Sequence, residues 1–228
     1  MRTAAVLIDA GRVLIHPDDR LFQRAARSVG CTLPDGAATS AIGRTVWEAA
    51  STHDPVAFWS GPAKVDAWSR QAGLPMRQGA AVWDHVHELD QTVTPLWSQV
   101  DPAAGAALRC LTRAGLKVAV VSNNDGRLRQ QLDQAGLLHL VDAVVDSAVA
   151  GVAKPSPEIF AYAAAGLGVP LNDCIMIGDD PYFDIQAALQ AGVASAILID
   201  PGADRPISWS TAAYADLHSA VRAIVSDL

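Results

Sequence analysis

The chain has 228 residues, of which 50% are hydrophobic and 18% are charged, and its mean hydropathy is +0.19. This composition excludes disordered and fibrous proteins, and it suits one large domain or a core domain with a smaller insertion. With 17 basic and 24 acidic side chains the formal charge is −7, so a broad electropositive surface is excluded and we expect no nucleic-acid partner.

The first predicted element is a strand over residues 3–8, an apolar run that ends at Asp9. Residues 16–98 differ from the rest of the chain, because they lack clear strand runs and their helix-like stretches are broken at positions such as Gly61-Pro62. Five of the six tryptophans lie in this segment. The pattern predicts a mainly helical inserted domain whose small core is filled by bulky aromatic side chains.

The second half of the chain opens with a predicted helix over residues 102–114. Asp101 is a typical N-cap, Pro102 a typical first helical residue, and Gly115 a typical C-terminal stop. Two later helices are predicted to begin at Pro157 and at Pro181.

Between these helices lie short β-branched runs. The predicted strands cover residues 117–121, 141–145, 174–177 and 196–199. Strands that alternate with helices are typical of βαβ units and a parallel sheet. The sequence therefore predicts a three-layer, Rossmann-like α/β core formed by residues 1–15 and 99–228, with the helical domain of residues 16–98 inserted into it.

Polar side chains follow several of the predicted strands. Asp9 follows the first strand and Ser122 follows the second, while Asp179 and Asp180 come after the strand over residues 174–177. Lys154 precedes the helix that begins at Pro157. Because ligands bind beyond the carboxyl ends of the strands in an open parallel sheet, we expect these side chains to converge on one edge.

These residue types favour one kind of chemistry. Crowded carboxylates repel one another unless a cation lies among them, and hard oxygen ligands suit Mg²⁺. A lysine and a hydroxyl beside that ion can bind a phosphoryl group, which an aspartate can then attack at phosphorus. The residues therefore predict phosphoryl transfer.

Four short motifs lie at these positions. They are residues 7–14 (LIDAGRVL), 120–124 (VVSNN), 154–160 (KPSPEIF) and 177–185 (IGDDPYFDI). In these motifs the chain resembles the haloacid dehalogenase-like hydrolases, a superfamily of aspartate-nucleophile phosphatases with an inserted cap. The last two motifs are specific as a pair, and the four together cover nearly the whole chain.

The resemblance implies a role for each matching residue. Asp9 would be the nucleophile that becomes an aspartyl phosphate, Ser122 would bind phosphoryl oxygens with a backbone contact from Asn123, and Lys154 would stabilise both nucleophile and phosphate. The implied Mg²⁺ ligands are Asp9, the backbone carbonyl of Gly11, Asp179 and Asp184. The role of Asp180 stays open, since a helix N-terminal charge also explains it.

One position departs from the family pattern. Most phosphatases of this family carry a second aspartate, a general acid and base, two residues after the nucleophile, where this chain has Gly11. Three explanations remain. The substrate can have a leaving group that departs without protonation, such as an anomeric or acyl phosphate. Another side chain can supply the proton, with His16 the nearest candidate and His53, His85 and His87 more remote. Finally, the chain can be a weak or inactive relative that binds a phosphorylated ligand or a partner protein.

Arg12 is a second departure, because the family usually has glycine there. Either a surface ion pair or a contact with an anionic substrate group explains it. A metal-free 2-haloacid dehalogenase is the other enzymatic alternative, but the acidic fourth motif argues against it. The substrate is expected to be a small phosphorylated metabolite, whose identity and the oligomeric state do not follow from the sequence.

The cysteines and apolar runs predict the compartment. Cys31, Cys110 and Cys174 lie far apart without a C-x-x-C pair, so we expect neither a disulfide framework nor a zinc site. No apolar run approaches the ~18–20 residues of a membrane span. We therefore expect a cytoplasmic protein with no membrane partner.

Overall fold

A computed structural model describes residues 3–92, 95–202 and 212–228. The chain divides into two compact units, a larger one of Met1–Ile15 with Val100–Leu228 and a smaller one of His16–Gln99. The strands are β1 (Ala5–Ile8), β2 (Ile15–Pro17), β3 (Trp97–Val100), β4 (Lys117–Ser122), β5 (Ala143–Asp146), β6 (Cys174–Gly178), β7 (Ser195–Ile199) and β8 (Ala212–Tyr214).

The helices are α1 (Asp19–Ser28), α2 (Ala37–Ala50), α3 (Pro55–Ser60), α4 (Ala63–Gln71), α5 (Met76–Thr92), α6 (Ala104–Arg113), α7 (Leu128–Gln134), α8 (Ser147–Ala150), α9 (Pro157–Leu167), α10 (Ala187–Ala191) and α11 (Leu217–Ser226). Short 3₁₀ turns cover Leu138–Leu140 and Leu171–Asp173, and a π-helical turn covers Pro181–Gln186. Within the ranges given above, none of the helices is long and apolar enough to cross a bilayer.

Six of the described strands form a parallel sheet in the larger unit, in the order β5-β4-β1-β6-β7-β8. β1 lies in the middle, where Leu7 is paired with Ala119 of β4 and with Met176 of β6. Every residue of β1 and of β6 is buried, as is usual in parallel sheets with helices on their faces. The predicted Rossmann-like α/β fold is thereby confirmed.

All five predicted strands are present, and each begins and ends within two residues of its predicted bounds. β8 was not predicted, because its three residues are too few to give a periodic pattern. The predicted helix over residues 102–114 is also present as α6. It begins two residues later than predicted, and the Asp101 carboxylate accepts the Ala103 N–H at 2.8 Å just before it.

The helix predicted to begin at Pro181 differs from expectation in its first turns. The N–H groups of Asp184 and Ile185 both donate to the Asp180 carbonyl, at 3.0 and 3.2 Å, so this segment is π-helical up to Gln186 before α10 continues. π-helical turns are wider than α-helical ones and are frequent at functional sites. This turn carries Asp184.

The smaller unit has an aromatic core. The ring centroid of Phe22 lies 5.4 Å from that of Trp68 and 5.1 Å from that of Trp83, and the two tryptophan rings are 5.3 Å apart. Trp68 is buried at the centre of this cluster. The interpretation of the tryptophans as core residues is confirmed for these two.

The expectation that residues 16–98 lack strands needs one correction. β2 and β3 lie at the two ends of this segment and pair with each other. They escaped prediction because they contain only three and four residues, which is too short for an alternating pattern to stand out.

Candidate functional site

Asp9 lies immediately after β1, at the middle of the C-terminal edge of the sheet. Its backbone N–H donates to the Ile177 carbonyl of β6 at 2.9 Å. Ser122 is the last residue of β4, and Asp179 follows the last residue of β6. Since β4 and β6 flank β1 in parallel register, these three buried residues lie on the same edge of the sheet.

Lys154 bridges two carboxylates at this edge. Its Nζ donates to Asp9 Oδ1 at 2.6 Å and to Asp184 Oδ1 at 2.5 Å, and its side chain is 4% exposed. The backbone of Lys154 is held by the Asn123 side chain, whose Oδ1 accepts the Lys154 N–H at 2.8 Å and whose Nδ2 donates to the Lys154 carbonyl at 2.9 Å. The peptide bond to Pro155 is cis.

Asp184 connects the lysine to the loop after β6. While its Oδ1 accepts from Lys154, its Oδ2 accepts the backbone N–H groups of Asp179 and Asp180 at 3.1 and 3.0 Å. Charge-assisted hydrogen bonds of this kind hold groups more firmly than neutral ones. One buried carboxylate therefore fixes both the lysine and the backbone of the acidic loop.

Gly178 has no side chain, and the Asp184 side chain fills the space beside it. A Cβ at position 178 would overlap the Asp184 side chain. We expect Gly178→Ala to displace that carboxylate and to lower the free energy of unfolding by about 1–3 kcal/mol through overpacking. Urea denaturation of the purified variant measures the change. Gly166→Ala is the matched control, since its Cβ would meet only Ala143 Cβ at 3.9 Å; equal losses in the two variants would contradict the steric argument.

Arg12 pairs with Asp179 across the edge of the sheet. Arg12 has a φ of +60°, a left-handed conformation that favours glycine and explains why glycine suits this turn. Its side chain is 17% exposed and that of Asp179 is 9% exposed. The ion pair considered for Arg12 is therefore present, but its partner is a buried carboxylate of the site and not a surface group. The contact of Arg12 with an anionic substrate group stays a prediction.

Three buried carboxylates come together here. One oxygen from each of Asp9, Asp179 and Asp184 lies within 4.8 Å of the others. Asp180 is differently placed: its carboxylate accepts the N–H groups of Tyr182 and Phe183 at 2.8 and 2.9 Å. Asp180 therefore caps the π-helical turn, which is the structural alternative considered from the sequence.

Burial controls the protonation of these acids. Desolvation raises the pKa of Asp9 to about 7 even though the Lys154 charge opposes the shift. Desolvation likewise raises the pKa of Asp179 to about 7 against the opposing charge of Arg12, and the pKa of Asp180 to about 7. For Lys154, burial favours the neutral amine, but the carboxylates of Asp184 and Asp9 together outweigh it and raise its pKa.

These shifts predict how the stability of the metal-free protein depends on pH. An acid whose folded-state pKa is raised from 3.8 to about 7 stabilises the fold fully below pH 3.8, and the contribution is lost as pH rises toward 7. Asp9→Asn removes one such group. Between pH 4.5 and 6.5 the unfolding free energy of the variant should therefore fall less steeply with pH than that of wild type, by on the order of 1 kcal/mol per pH unit. Urea denaturation in EDTA checks this, and parallel pH profiles for the two proteins would contradict it.

Asp146 was missed by the sequence argument. It ends β5, and its carboxylate accepts the N–H groups of Gly126, Leu128 and Ala148 at 3.1, 3.0 and 3.0 Å. These bonds hold the loop that follows Ser122. A signal was present, because Asp146 directly follows an apolar run, the same pattern that identified Asp9.

The remaining predicted positions are placed as follows. Gly11 lies in the loop after Asp9 and forms an isolated bridge with Ile15, and His16 is the middle residue of β2. Among the more remote candidates, His85 pairs with Glu88 at 3.2 Å on α5. The roles proposed for Gly11 and the histidines remain predictions.

Comparison with known proteins adds three findings. The haloacid dehalogenase-like hydrolase family matches residues 15–192, a segment that contains Ser122, Lys154, Asp179 and Asp184. Haloacid dehalogenase-like hydrolase domain-containing protein 3 of Xenopus laevis is 40% identical over 114 residues, which are 50% of this chain and 46% of that protein. A phosphoserine phosphatase of Thermus thermophilus is 32% identical over 154 residues, 65% of this chain and 59% of that protein.

The chain thus spans about half the length of these two relatives. A solved L-2-haloacid dehalogenase superposes with a TM-score of 0.66 at 20% sequence identity, covering 98% of this chain and 99% of that one. At this identity the superposition demonstrates a shared fold.

Proposed function

Since the chain belongs to the haloacid dehalogenase-like hydrolases, we propose that it is a Mg²⁺-dependent phosphatase that hydrolyses a small phosphomonoester through an aspartyl phosphate. The observation that carries the proposal is the buried group of Asp9, Asp179 and Asp184 around Lys154. Similarity to a phosphoserine phosphatase supports the choice of phosphoryl transfer.

The donor set fits Mg²⁺. Three carboxylate oxygens lie within 4.8 Å of one another, and carboxylate oxygens are hard ligands that suit Mg²⁺. The negative charge of the three carboxylates exceeds the positive charge of Lys154 and Arg12, so the group can accept a divalent cation. Asp9, Asp179 and Asp184 would hold the ion, and the backbone carbonyl of Gly11 is the further ligand that the family resemblance implies. When bound, the ion neutralises the crowded carboxylates and withdraws charge from a phosphoryl oxygen.

The chain's own groups carry the reaction in two steps. A carboxylate oxygen of Asp9 attacks phosphorus, the bond from phosphorus to the substrate oxygen breaks, and that oxygen leaves with the bonding electrons as an anion. An alkoxide formed in this way takes a proton from water. Water then attacks the phosphorus of the aspartyl phosphate, which releases inorganic phosphate and restores Asp9. Ser122 and the backbone of Asn123 bind phosphoryl oxygens, and the charge of Lys154 stabilises both the nucleophile and the phosphate.

Gly11 limits the substrates that this site can process. A side chain that protonates the leaving oxygen typically contributes about 10²–10⁴-fold, and glycine offers none. We therefore favour substrates whose leaving groups depart unprotonated, such as anomeric or acyl phosphates. His16 is the alternative source of a proton.

Two other functions remain as alternatives. The missing acid at Gly11 favours a weak or inactive protein that binds a phosphorylated ligand or a partner. The shared fold with a haloacid dehalogenase favours metal-free dehalogenation. Against it, Lys154 and Arg12 offset only part of the charge of the three buried carboxylates, and the excess negative charge is electrostatically unfavourable without a metal ion.

A substrate panel tests the proposal. We expect phosphate release from acetyl phosphate and glucose 1-phosphate to exceed that from glycerol 3-phosphate and phosphoserine by at least about 10²-fold, the usual contribution of a missing proton donor. Release should stop on addition of EDTA and return with excess Mg²⁺. Turnover that survives chelation would refute the mechanism. Halide release from 2-chloropropionate in EDTA would identify a dehalogenase, and no turnover of any compound would favour the binding protein.

A further inference from the structure

The ion pair between Arg12 and Asp179 lies inside the carboxylate group that the proposed function assigns to Mg²⁺. We propose that Arg12 competes with the metal for Asp179, so that the metal binds only when this ion pair opens. The inference rests on the proposed function, because it concerns the regulation of the same site. It predicts a protein that loads metal less readily than its carboxylates alone would allow.

The distribution of charge supports competition. Among residues 3–92, 95–202 and 212–228, Lys154 and Arg12 are the cations paired with the three carboxylates. Lys154 is bonded to Asp9 and to Asp184, and Arg12 is bonded to Asp179. Lys154 is engaged by Asp9 and Asp184, so Asp179 is the carboxylate for which the metal and the Arg12 guanidinium compete.

The backbone holds Arg12 in place for this contact. The Arg12 N–H donates to the Ile15 carbonyl at 2.7 Å, and the N–H groups of Leu14 and Ile15 both donate to the Ala10 carbonyl at 2.9 Å. Val13 and Leu14, which follow Arg12, are buried at 1% and 0% exposure. These backbone hydrogen bonds and buried side chains hold the turn that follows β1 in one conformation. The turn therefore positions the Arg12 guanidinium beside Asp179.

Partial burial makes the competition measurable. Exposed ion pairs are screened by water and salt and contribute little, but the side chains of Arg12 and Asp179 are only 17% and 9% exposed. Two ligands that exclude each other from one group must each weaken the binding of the other by the same factor. Removal of the guanidinium should therefore strengthen metal binding.

Isothermal titration of MgCl₂ into the purified protein tests the inference without use of turnover. We expect Arg12→Gly and Arg12→Gln to bind Mg²⁺ at least about tenfold more tightly than wild type. In these variants the charge-assisted hydrogen bond between Arg12 and Asp179 no longer has to break before the metal binds. Glycine suits the left-handed turn, so Arg12→Gly should fold. Arg12→Lys, which keeps the charge, should stay closer to wild type. The control Arg70→Gln removes an arginine that pairs with Glu48 on the smaller unit and should leave the affinity unchanged.

The outcomes separate this inference from the proposed function. Equal affinities in wild type and in both Arg12 variants would overturn the competition and leave the metal site standing. Weaker binding in the variants would also overturn it, because Arg12 would then support the metal. Absence of Mg²⁺ binding in every protein would overturn the proposed metal site and the inference together.

Discussion

Replacement of Asp9 by Asn is expected to reduce phosphate release by on the order of 10³-fold or more, since removal of a nucleophile leaves only the binding and electrostatic contributions of the site. The amide oxygen is a poor nucleophile and cannot form the acyl phosphate. The backbone bond of Asp9 to Ile177 and the space that its side chain fills are both retained. Steady-state kinetics on the best substrate of the panel, at saturating Mg²⁺, measure the loss.

The fold of this variant should survive. Asn removes one of three crowded carboxylates, and burial has already raised the pKa of Asp9 to about 7, so above neutral pH the variant should be at least as stable as wild type. Thermal unfolding in EDTA at pH 8 separates loss of chemistry from loss of structure. Asp133→Asn, an exposed change on α7, is the matched control and should keep full activity. Substantial turnover by a folded Asp9→Asn protein would exclude Asp9 as the nucleophile.

Replacement of Lys154 by Met is expected to lower the free energy of unfolding by about 3–5 kcal/mol at pH 8, the usual cost of leaving buried charges without their partner. The variant retains the carboxylates of Asp9 and Asp184, which lie 2.6 and 2.5 Å from the lysine Nζ in wild type. The loss should be smaller at pH 6, because an unpaired buried carboxylate takes up a proton and becomes neutral. Urea denaturation in EDTA at the two pH values measures both effects.

Two further variants make this result interpretable. Lys64→Met, on α4 of the smaller unit, should change stability by no more than about 0.5 kcal/mol, as is usual for residues outside such pairs. Adding Asp9→Asn to Lys154→Met should recover part of the lost stability, since it removes one of the two unpaired charges. If Lys154→Met and Lys64→Met unfold at the same urea concentration, the lysine is not the counter-ion of the buried acids.

Much of the fold is readable from the sequence because parallel strands and their ends leave local signals. The run Val118-Ala119-Val120-Val121 predicts a buried strand, and Ser122 is the first polar residue after it. Among the described residues the strands that were not predicted are β2, β3 and β8, whose three or four residues are too few for a pattern. The π-helical turn after Asp180 was also missed, since it depends on the Asp180 carbonyl accepting two N–H groups rather than on residue type.

The sequence by itself determined the α/β class and predicted that Asp9, Ser122 and Asp179, the polar residues at the ends of three strands, share one edge of the sheet. Those features depend on short-range patterns of apolar and polar residues. Only the tertiary structure decided which cation faces which carboxylate: Lys154 is 145 positions from Asp9, and Arg12 is 167 positions from Asp179. Such pairings depend on how distant loops meet at the sheet edge and on how completely water is excluded there, and neither quantity has a local signal in the chain.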